Sequence, residues 1–144
     1  MPKFNREAYL ACDGKAKSAI RSFLDTKGVY TNVFEDYGPD ISSLQSLKGS
    51  WKKVWHEVEI KSAWKHEWPT HWRSIHIPYR KKKYLDEGRR VMFWVLNNPC
   101  SRAVFIHGDH LGEEYKEVIP NTRYPKGEYF YDIPIHLTKV IDLT

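Results

Sequence analysis

The chain has 144 residues, of which 41% are hydrophobic and 15% aromatic, and this is the length and apolar content of one compact domain. The composition, with eight glycines, eight prolines and no low-complexity segment, excludes a disordered or fibrous protein. A formal net charge of +5 is compatible with nucleic acid as a partner but is not specific to it.

The cysteines and the apolar runs bear on the cellular compartment. Cys12 and Cys100 are too far apart in sequence to form a spaced metal motif, and they argue against a disulfide-stabilised fold. The first residues lack the apolar run of a secretory signal, and no stretch approaches the ~20 apolar residues of a membrane span. We therefore expect a soluble, intracellular protein of the cytoplasm.

The first predicted element is a helix between Asn5 and Lys27. Its apolar residues recur at spacings of three and four, Asn5 is a typical cap and Gly28 is a typical end. The pair Asp13-Gly14 is expected to break or kink this helix.

Three strands are predicted next. Residues 29–36 form a β-branched and aromatic run, and Gly38-Pro39 turns the chain into a second strand at residues 40–44. After a loop over residues 45–51, the third strand, from Lys53 to Trp64, has the clearest alternation. One of its faces carries Val54, His56, Val58 and Ile60, and the other carries Trp55, Glu57, Glu59 and Lys61.

The second half of the chain is predicted to contain a helix and two buried strands. The helix begins between Ser74 and Pro78, after a loop over residues 64–72, and ends at Gly88. The strands are the apolar runs Val91–Leu96 and Ala103–Ile106.

The remaining residues, 107–144, hold short apolar pieces with prolines, and we expect them to pack as edge or wrapping structure. The order of elements predicts an α/β fold in a single domain, with a central mixed β-sheet flanked by helices. Its core covers about residues 5–106, and residues 107–144 form a C-terminal extension.

Two short motifs carry the chemistry. Gly38-Pro39-Asp40 is followed 19 residues later by Glu59-Ile60-Lys61. Glu59 and Lys61 lie two apart on a strand and share one face, and Asp40 reaches the same point if its strand forms a hairpin across residues 45–51. Phosphodiester hydrolysis needs carboxylates that hold Mg²⁺ and a group that orients the attacking water, and these residues supply both.

This arrangement resembles the PD-(D/E)XK nucleases, a superfamily that includes restriction enzymes and Holliday-junction resolvases. The order of elements through residue 106 is similar to the family core of a helix, three strands, a helix and a further strand. The resemblance implies a restriction-endonuclease-like fold and an endonuclease that cuts DNA, including branched or structured DNA, with Mg²⁺ or Mn²⁺. It implies that Asp40, Glu59 and the Ile60 carbonyl bind the metal, and that Lys61 positions or helps to deprotonate the water.

The first helix departs from the family pattern. Many members carry a glutamate there, at a place where this chain has Lys17. A second metal site is therefore left open, with Asp13 ranked above Glu7 as a substitute ligand because Asp13 flanks the apolar stripe. Glu57 shares the strand face of the motif, and we interpret it as part of a solvated face rather than as a ligand.

Positive charge is concentrated in residues 71–90, which contain seven Lys and Arg against two acidic residues. We expect Arg80, Lys81 and Lys83, on the predicted basic helix, to contact the DNA backbone. Solvation without DNA contact is the alternative interpretation of a charged helical face.

An aromatic and histidine cluster overlaps the start of this segment and has three interpretations. It consists of Trp64, His66, Trp68, His71, Trp72 and His76. Tryptophans that cover the sheet are favoured over stacking on splayed bases, and zinc binding by the three histidines ranks last because their spacing does not align them. The sequence His107-Gly108-Asp109-His110 is interpreted as a polar turn rather than a metal site.

Two other functional classes stay open beside the endonuclease. One is a non-catalytic nucleic-acid-binding module with a nuclease-like fold, and the other is a histidine-based metal protein unrelated to DNA. A homodimer is expected by analogy, because cutting both DNA strands often requires a symmetric pair.

Overall fold

The structure is a computed structural model in which two β-sheets and one long helix are stacked in layers. It describes residues 6–27, 29–33, 41–47, 49–61, 63–68, 71–86, 90–119 and 128–143. The helices within these ranges are α1 (Arg6–Thr26) and α2 (Lys82–Asp86). The strands are β1 (Tyr30–Val33), β2 (Ile41–Leu47), β3 (Ser50–Ile60), β4 (Ser74–Pro78), β5 (Val91–Leu96), β6 (Arg102–His107), β7 (Lys116–Ile119), β8 (Glu128–Pro134) and β9 (Lys139–Asp142).

The larger sheet has six strands in the order β1-β2-β3-β5-β6-β9. The first three strands form an antiparallel meander, in which β2 and β3 make a hairpin with Leu47 opposite Ser50. β3 then pairs in parallel with β5, and β6 and β9 are antiparallel again. The sheet is therefore mixed, as the sequence predicts.

A smaller sheet, in the order β4-β8-β7, covers one face of the larger sheet. Its buried side chains, including Ile75, Ile77, Tyr131 and Ile133, pack in one apolar cluster with Phe93 and Val95 of β5. The opposite face of the larger sheet is covered by α1. Helix residues such as Ile20 and Leu24 pack there with Val58, Trp94 and Leu96.

Several sequence predictions are confirmed by this architecture. The first helix, the three strands after it, and β5 and β6 lie where the apolar patterns place them. Three boundaries are wrong: the third strand ends at Ile60 and not at Trp64, the loop predicted for residues 45–51 is a short turn at Gly49, whose φ is 79°, and α1 runs without a break through Asp13 and Gly14. Gly14 is exposed, and it costs the helix only the ~1 kcal/mol of backbone entropy that an interior glycine carries, which does not break a helix that packs on the sheet.

The helix predicted from the region of Ser74 is also wrong in its first part. Residues 74–78 form β4, in which Ile75 and Ile77 alternate with exposed or half-buried positions. Pro78 ends this strand instead of starting a helix, and a 3-10 turn, Tyr79–Lys81, leads into the short α2. One face of the large sheet is consequently covered mainly by strands, with Tyr84 of the short α2 in the same apolar cluster.

The C-terminal residues contribute to both sheets. β9 extends the larger sheet along β6, and β7 forms an edge of the smaller sheet, as expected for edge structure. β8 is the central strand of the smaller sheet, which the sequence does not predict, and its proline is tolerated because Pro134 is the last residue of the strand.

Gly108 allows a close contact between the end of β6 and the start of β5. A Cβ at this position would lie 2.6 Å from the carbonyl oxygen of Val91 and 2.9 Å from Cδ2 of Leu85. A Cβ this close would overlap the carbonyl oxygen of Val91, and a backbone atom within a sheet cannot move aside as a flexible side chain can. Only glycine therefore fits here without displacing β5.

His56 forms a buried polar network between β2, β3 and β5. The indole Nε1 of Trp94 donates to Nδ1 of His56 at 2.9 Å, and Nε2 of His56 lies 2.7 Å from Oγ of Ser43. Because an indole can only donate, Nδ1 is the acceptor and Nε2 carries the proton of a neutral ring. Burial lowers the pKa of His56 from 6.5 to about 4.

This lowered pKa predicts a loss of stability in acid. The unfolded chain binds a proton at His56 below pH 6.5 while the folded chain resists it until about pH 4, so stability present above pH 6.5 is lost across this window. The loss should amount to about 3 kcal/mol. Urea unfolding from pH 7.5 to 4 should show it in the wild type and in the exposed control His66→Gln, but not in His56→Gln. An equal loss in all three proteins would contradict the assignment.

Tyr131 gives a second stability prediction. It is fully buried, its hydroxyl has no hydrogen-bond partner among the described residues, and burial is the main cause that raises its pKa to about 12. Tyr131→Phe removes a buried polar atom without opening a cavity, so the free energy of unfolding should stay equal or rise by about 1 kcal/mol. Denaturant melts at neutral pH measure this, and a loss above about 1 kcal/mol would reveal a partner for the hydroxyl.

Candidate functional site

The candidate site lies on the face of β3 that is turned away from α1. Trp55 packs in the cluster beneath the smaller sheet, while Val58 and Ile60 pack under α1. The alternation predicted for this strand is therefore confirmed. It places Glu57, Glu59 and the following residue Lys61 on the face opposite α1.

Glu59 and Lys61 are next to each other on this face and are both reachable from solvent. Glu59 is exposed and Lys61 is half-buried, and the register partner of Glu59 on β5, Val95, belongs to the apolar cluster beneath the smaller sheet. Glu59 and Lys61 thus project from the same side of the strand, next to the apolar cluster beneath the smaller sheet. The Ile60 side chain faces the other way, into the core beneath α1.

Asp40 lies outside the described residues, so its convergence with Glu59 and Lys61 stays a prediction. This convergence requires a hairpin between the second and third strands, and the residues that follow Asp40 in sequence form one. β2 and β3 form the required hairpin, and Ile41, the first residue of β2, is opposite His56 on β3.

Glu57 differs from the solvated residue that its sequence position suggests. Only 4% of its side chain is exposed, and its Oε1 accepts a hydrogen bond from Nζ of Lys81 at 2.7 Å. The interpretation of Glu57 as part of a solvated strand face is therefore wrong. Its burial is caused by the 3-10 turn after β4, which brings Lys81 over the strand from 24 positions later in the chain.

The basic segment, residues 79–86, consists of a 3-10 turn and a short helix. Its lysines differ in their surroundings. Lys81 directs its ammonium to Glu57 and keeps 25% of its side chain exposed. Lys82 pairs with Asp86 at 3.5 Å, and the exposed Lys83 lies with its ammonium 5.0 Å from the ring centre of Tyr84. The side chain of Arg80 lies outside the described residues.

Three tryptophans form a ladder beside Lys61. Trp64 is fully buried, and the ring centres of Trp64 and Trp68 are 5.1 Å apart, those of Trp68 and Trp72 5.2 Å, each pair in an edge-to-face arrangement. Trp68 and Trp72 are half-buried against the core under the smaller sheet. Their packing supports the interpretation that these tryptophans cover the sheet.

The histidines of this region are dispersed. His66 and His71 are exposed, and His76 lies 3.1 Å from Asp132 across the smaller sheet. The turn after β6 is stabilised by Nδ1 of His107, which accepts the backbone N–H of Asp109, as expected for a polar turn. Within the described ranges, no three histidine, cysteine or acidic side chains are grouped closely enough to hold a metal ion.

The residues named as substitute metal ligands belong to α1. The side chains of Glu7 and Asp13 lie outside the described residues. Lys17 is half-buried on α1, and the helix packs on the sheet face opposite Glu59 and Lys61.

The chain matches no protein-family model and no curated protein. Among the described helices, none combines the length and apolar character that crossing a membrane requires.

The Glu57 and Lys81 pair predicts a specific stability effect. Lys81→Met removes the cation 2.7 Å from a carboxylate that is 4% exposed, and the free energy of unfolding should fall by about 3 kcal/mol. Lys83→Met is the matched control, because Lys83 is exposed in the same segment, and it should change stability by less than about 0.5 kcal/mol. Equal effects in chemical denaturation of the two variants would show that the pair is not a stabilising contact.

Proposed function

We propose that the chain is a Mg²⁺-dependent DNA endonuclease of the PD-(D/E)XK type, with Asp40, Glu59 and Lys61 as its catalytic centre. The observation that carries this proposal is the end of β3, where Glu59 and the following Lys61 share the side turned away from α1, Glu59 exposed and Lys61 half-buried. A strand that presents a carboxylate and an ammonium in this way matches the Glu-x-Lys motif in both sequence and orientation.

The order and pairing of the elements support the same proposal. The family core has a helix, three strands, a helix and a further strand. Here α1 is followed by the meander β1-β2-β3, the connection from β3 contains α2, and the next strand of the larger sheet, β5, pairs with β3. The connection also contains β4, and the C-terminal residues add β7, β8 and β9, so these parts extend beyond the family pattern.

The donor set suits a hard divalent cation. Mg²⁺ prefers oxygen ligands, which the carboxylates of Asp40 and Glu59 and the carbonyl of Ile60 would supply. Bound there, the ion would neutralise charge on the scissile phosphate and lower the pKa of a bound water. Mn²⁺, which also prefers such ligands, would substitute.

Lys61 has the role of positioning the attacking water in this proposal. Its ammonium is a point charge with three donors on the same face as Glu59. It would orient the nucleophilic water and stabilise the negative charge that develops on the phosphate.

DNA would reach this centre along the basic segment. Lys83 is exposed, and Arg80 belongs to the 3-10 turn that precedes it, so both are proposed to contact backbone phosphates. The ammonium of Lys81 is bound to Glu57, so Lys81 would contact only a backbone phosphate that lies close to the catalytic centre. A homodimer would place two centres on opposite DNA strands, and branched or structured DNA is included among the proposed substrates.

Single substitutions on β3 test the catalytic centre. Glu59→Gln and Lys61→Met should each lower the Mg²⁺-dependent cleavage of duplex or four-way-junction DNA by about 100-fold or more, without lowering the melting temperature. Lys65→Met is the matched control, since Lys65 is exposed on the adjoining loop, and it should retain cleavage. Cleavage that survives both strand substitutions would eliminate this centre.

The same assay separates the endonuclease from a non-catalytic binding module. A binding module would bind DNA with strong salt dependence and show no cleavage by the wild type with Mg²⁺ or Mn²⁺. Cleavage by the wild type that requires a divalent ion, and that is lost in Asp40→Asn, supports the endonuclease.

A further inference from the structure

The ammonium of Lys61 lies over the ring of Trp72, with Nζ 4.8 Å from the ring centre. We propose that Trp72 is a positioning residue, which holds the Lys61 ammonium at the place where the attacking water must be oriented. The inference rests on the proposed function and adds to it a residue outside the motif that resembles the nuclease family.

A lysine needs such a contact to act at a fixed point. Its four-carbon stem is flexible, and a strongly hydrated ammonium that solvent can reach samples many positions. The face of an indole ring attracts a cation and gives one of these positions an advantage. Glu59, the neighbour on the same face, supplies charge but no surface along which the stem can pack.

The position of Trp72 is set by the tryptophan ladder. Trp64 is buried at the inner end, and its Nε1 donates to the carbonyl of His66 at 2.8 Å. Trp68 packs edge-on against both neighbours, and its Nε1 donates to the carbonyl oxygen of Trp72 at 2.8 Å. Ring contacts and a backbone hydrogen bond therefore both constrain Trp72.

The backbone of Lys61 is attached to the same frame. Its N–H donates to the carbonyl of Leu96 at 2.8 Å, and its carbonyl accepts the N–H of Trp64 at 3.0 Å. Trp64 in turn accepts a hydrogen bond at 2.7 Å from the N–H of Asn98, in the turn between β5 and β6. The strand end and the innermost ladder residue are thus joined directly, so the backbone and the ammonium of Lys61 are both positioned relative to β5.

A base-stacking role for Trp72 predicts a different result from the positioning role. A tryptophan that stacks on DNA acts in binding, so its loss weakens the affinity for DNA. A tryptophan that positions Lys61 acts in the chemical step, so its loss lowers the rate of cleavage by bound enzyme. The two roles are separated by measuring single-turnover rates and DNA dissociation constants on the same variants.

Trp72→Leu and Trp72→Phe are the informative substitutions in the full chain. Trp72→Leu removes the aromatic face, and the single-turnover rate should fall about tenfold while the DNA dissociation constant changes less than about twofold. Trp72→Phe keeps a ring and should recover a large part of the rate. If Trp72→Leu does not fold, Trp72→Phe still tests the proposal through a smaller loss of rate with unchanged DNA affinity.

A second measurement does not depend on cleavage. In NMR spectra, the ε-methylene protons of Lys61, assigned by comparison with Lys61→Met, should be shifted upfield by the indole ring. The shift should disappear in Trp72→Leu, while the signals of the exposed Lys65 stay constant.

The outcomes separate the two proposals. Wild-type protein that does not cleave DNA overturns the proposed function and any catalytic role for Trp72, whereas the ring-current shift still decides whether Trp72 holds the amine. Wild-type cleavage with an unchanged rate in Trp72→Leu overturns the positioning role alone. A weakened DNA affinity with an unchanged rate also overturns it, because Trp72 would then contact the substrate.

Discussion

The pairing of β3 with β5 is the constraint on which the site depends. β5 is buried on both faces, so it fixes β3 in the middle of the molecule with an apolar cluster on each side. Side chains of a strand alternate, and a slip of one residue would exchange the two faces. Glu57 and Glu59 would then lie beneath α1, where carboxylates without partners are costly. The register is therefore protected by the same burial that orients the candidate site.

The charged side chains on the site face of β3 and just after it differ in their exposure to solvent. Glu57 and Lys61 are stabilised by different neighbours. Glu57 is covered by the turn after β4 and is neutralised by Lys81, while Glu59, two residues further, is exposed. Lys61, at the end of the series, is supported by an aromatic ring instead of a carboxylate. An exposed carboxylate can bind a cation from solution, whereas the charge of a buried carboxylate that is paired with an ammonium is already compensated. Under the proposed function, its exposure makes Glu59 a better candidate for the metal than Glu57.

Local sequence patterns predict those helices and strands whose apolar residues recur with a clear period. The alternation on β3 and the apolar run of β5 predict both strands, and the spacing of the helix residues predicts α1. β4 was missed because Pro78 and the basic residues after it resemble a helix start, while its partner, β8, lies more than 50 residues later in the chain. The burial of Glu57 was missed for a similar reason, since Lys81 reaches it only through the folded chain. Contacts between distant segments have no signature in a local pattern, and the position of Asp40 lies outside the described residues.

The close contact between Gly108 and β5 limits which sequences can adopt this fold, and distant relatives would be subject to the same limit. No side chain fits between this residue and the backbone of Val91, whatever the function of the protein. A divergent sequence that kept the fold but lost every charged residue of β3 would still need glycine at the end of its sixth strand. In such a sequence this glycine, and not a charged residue, would mark the place where β5 and the end of β6 approach each other.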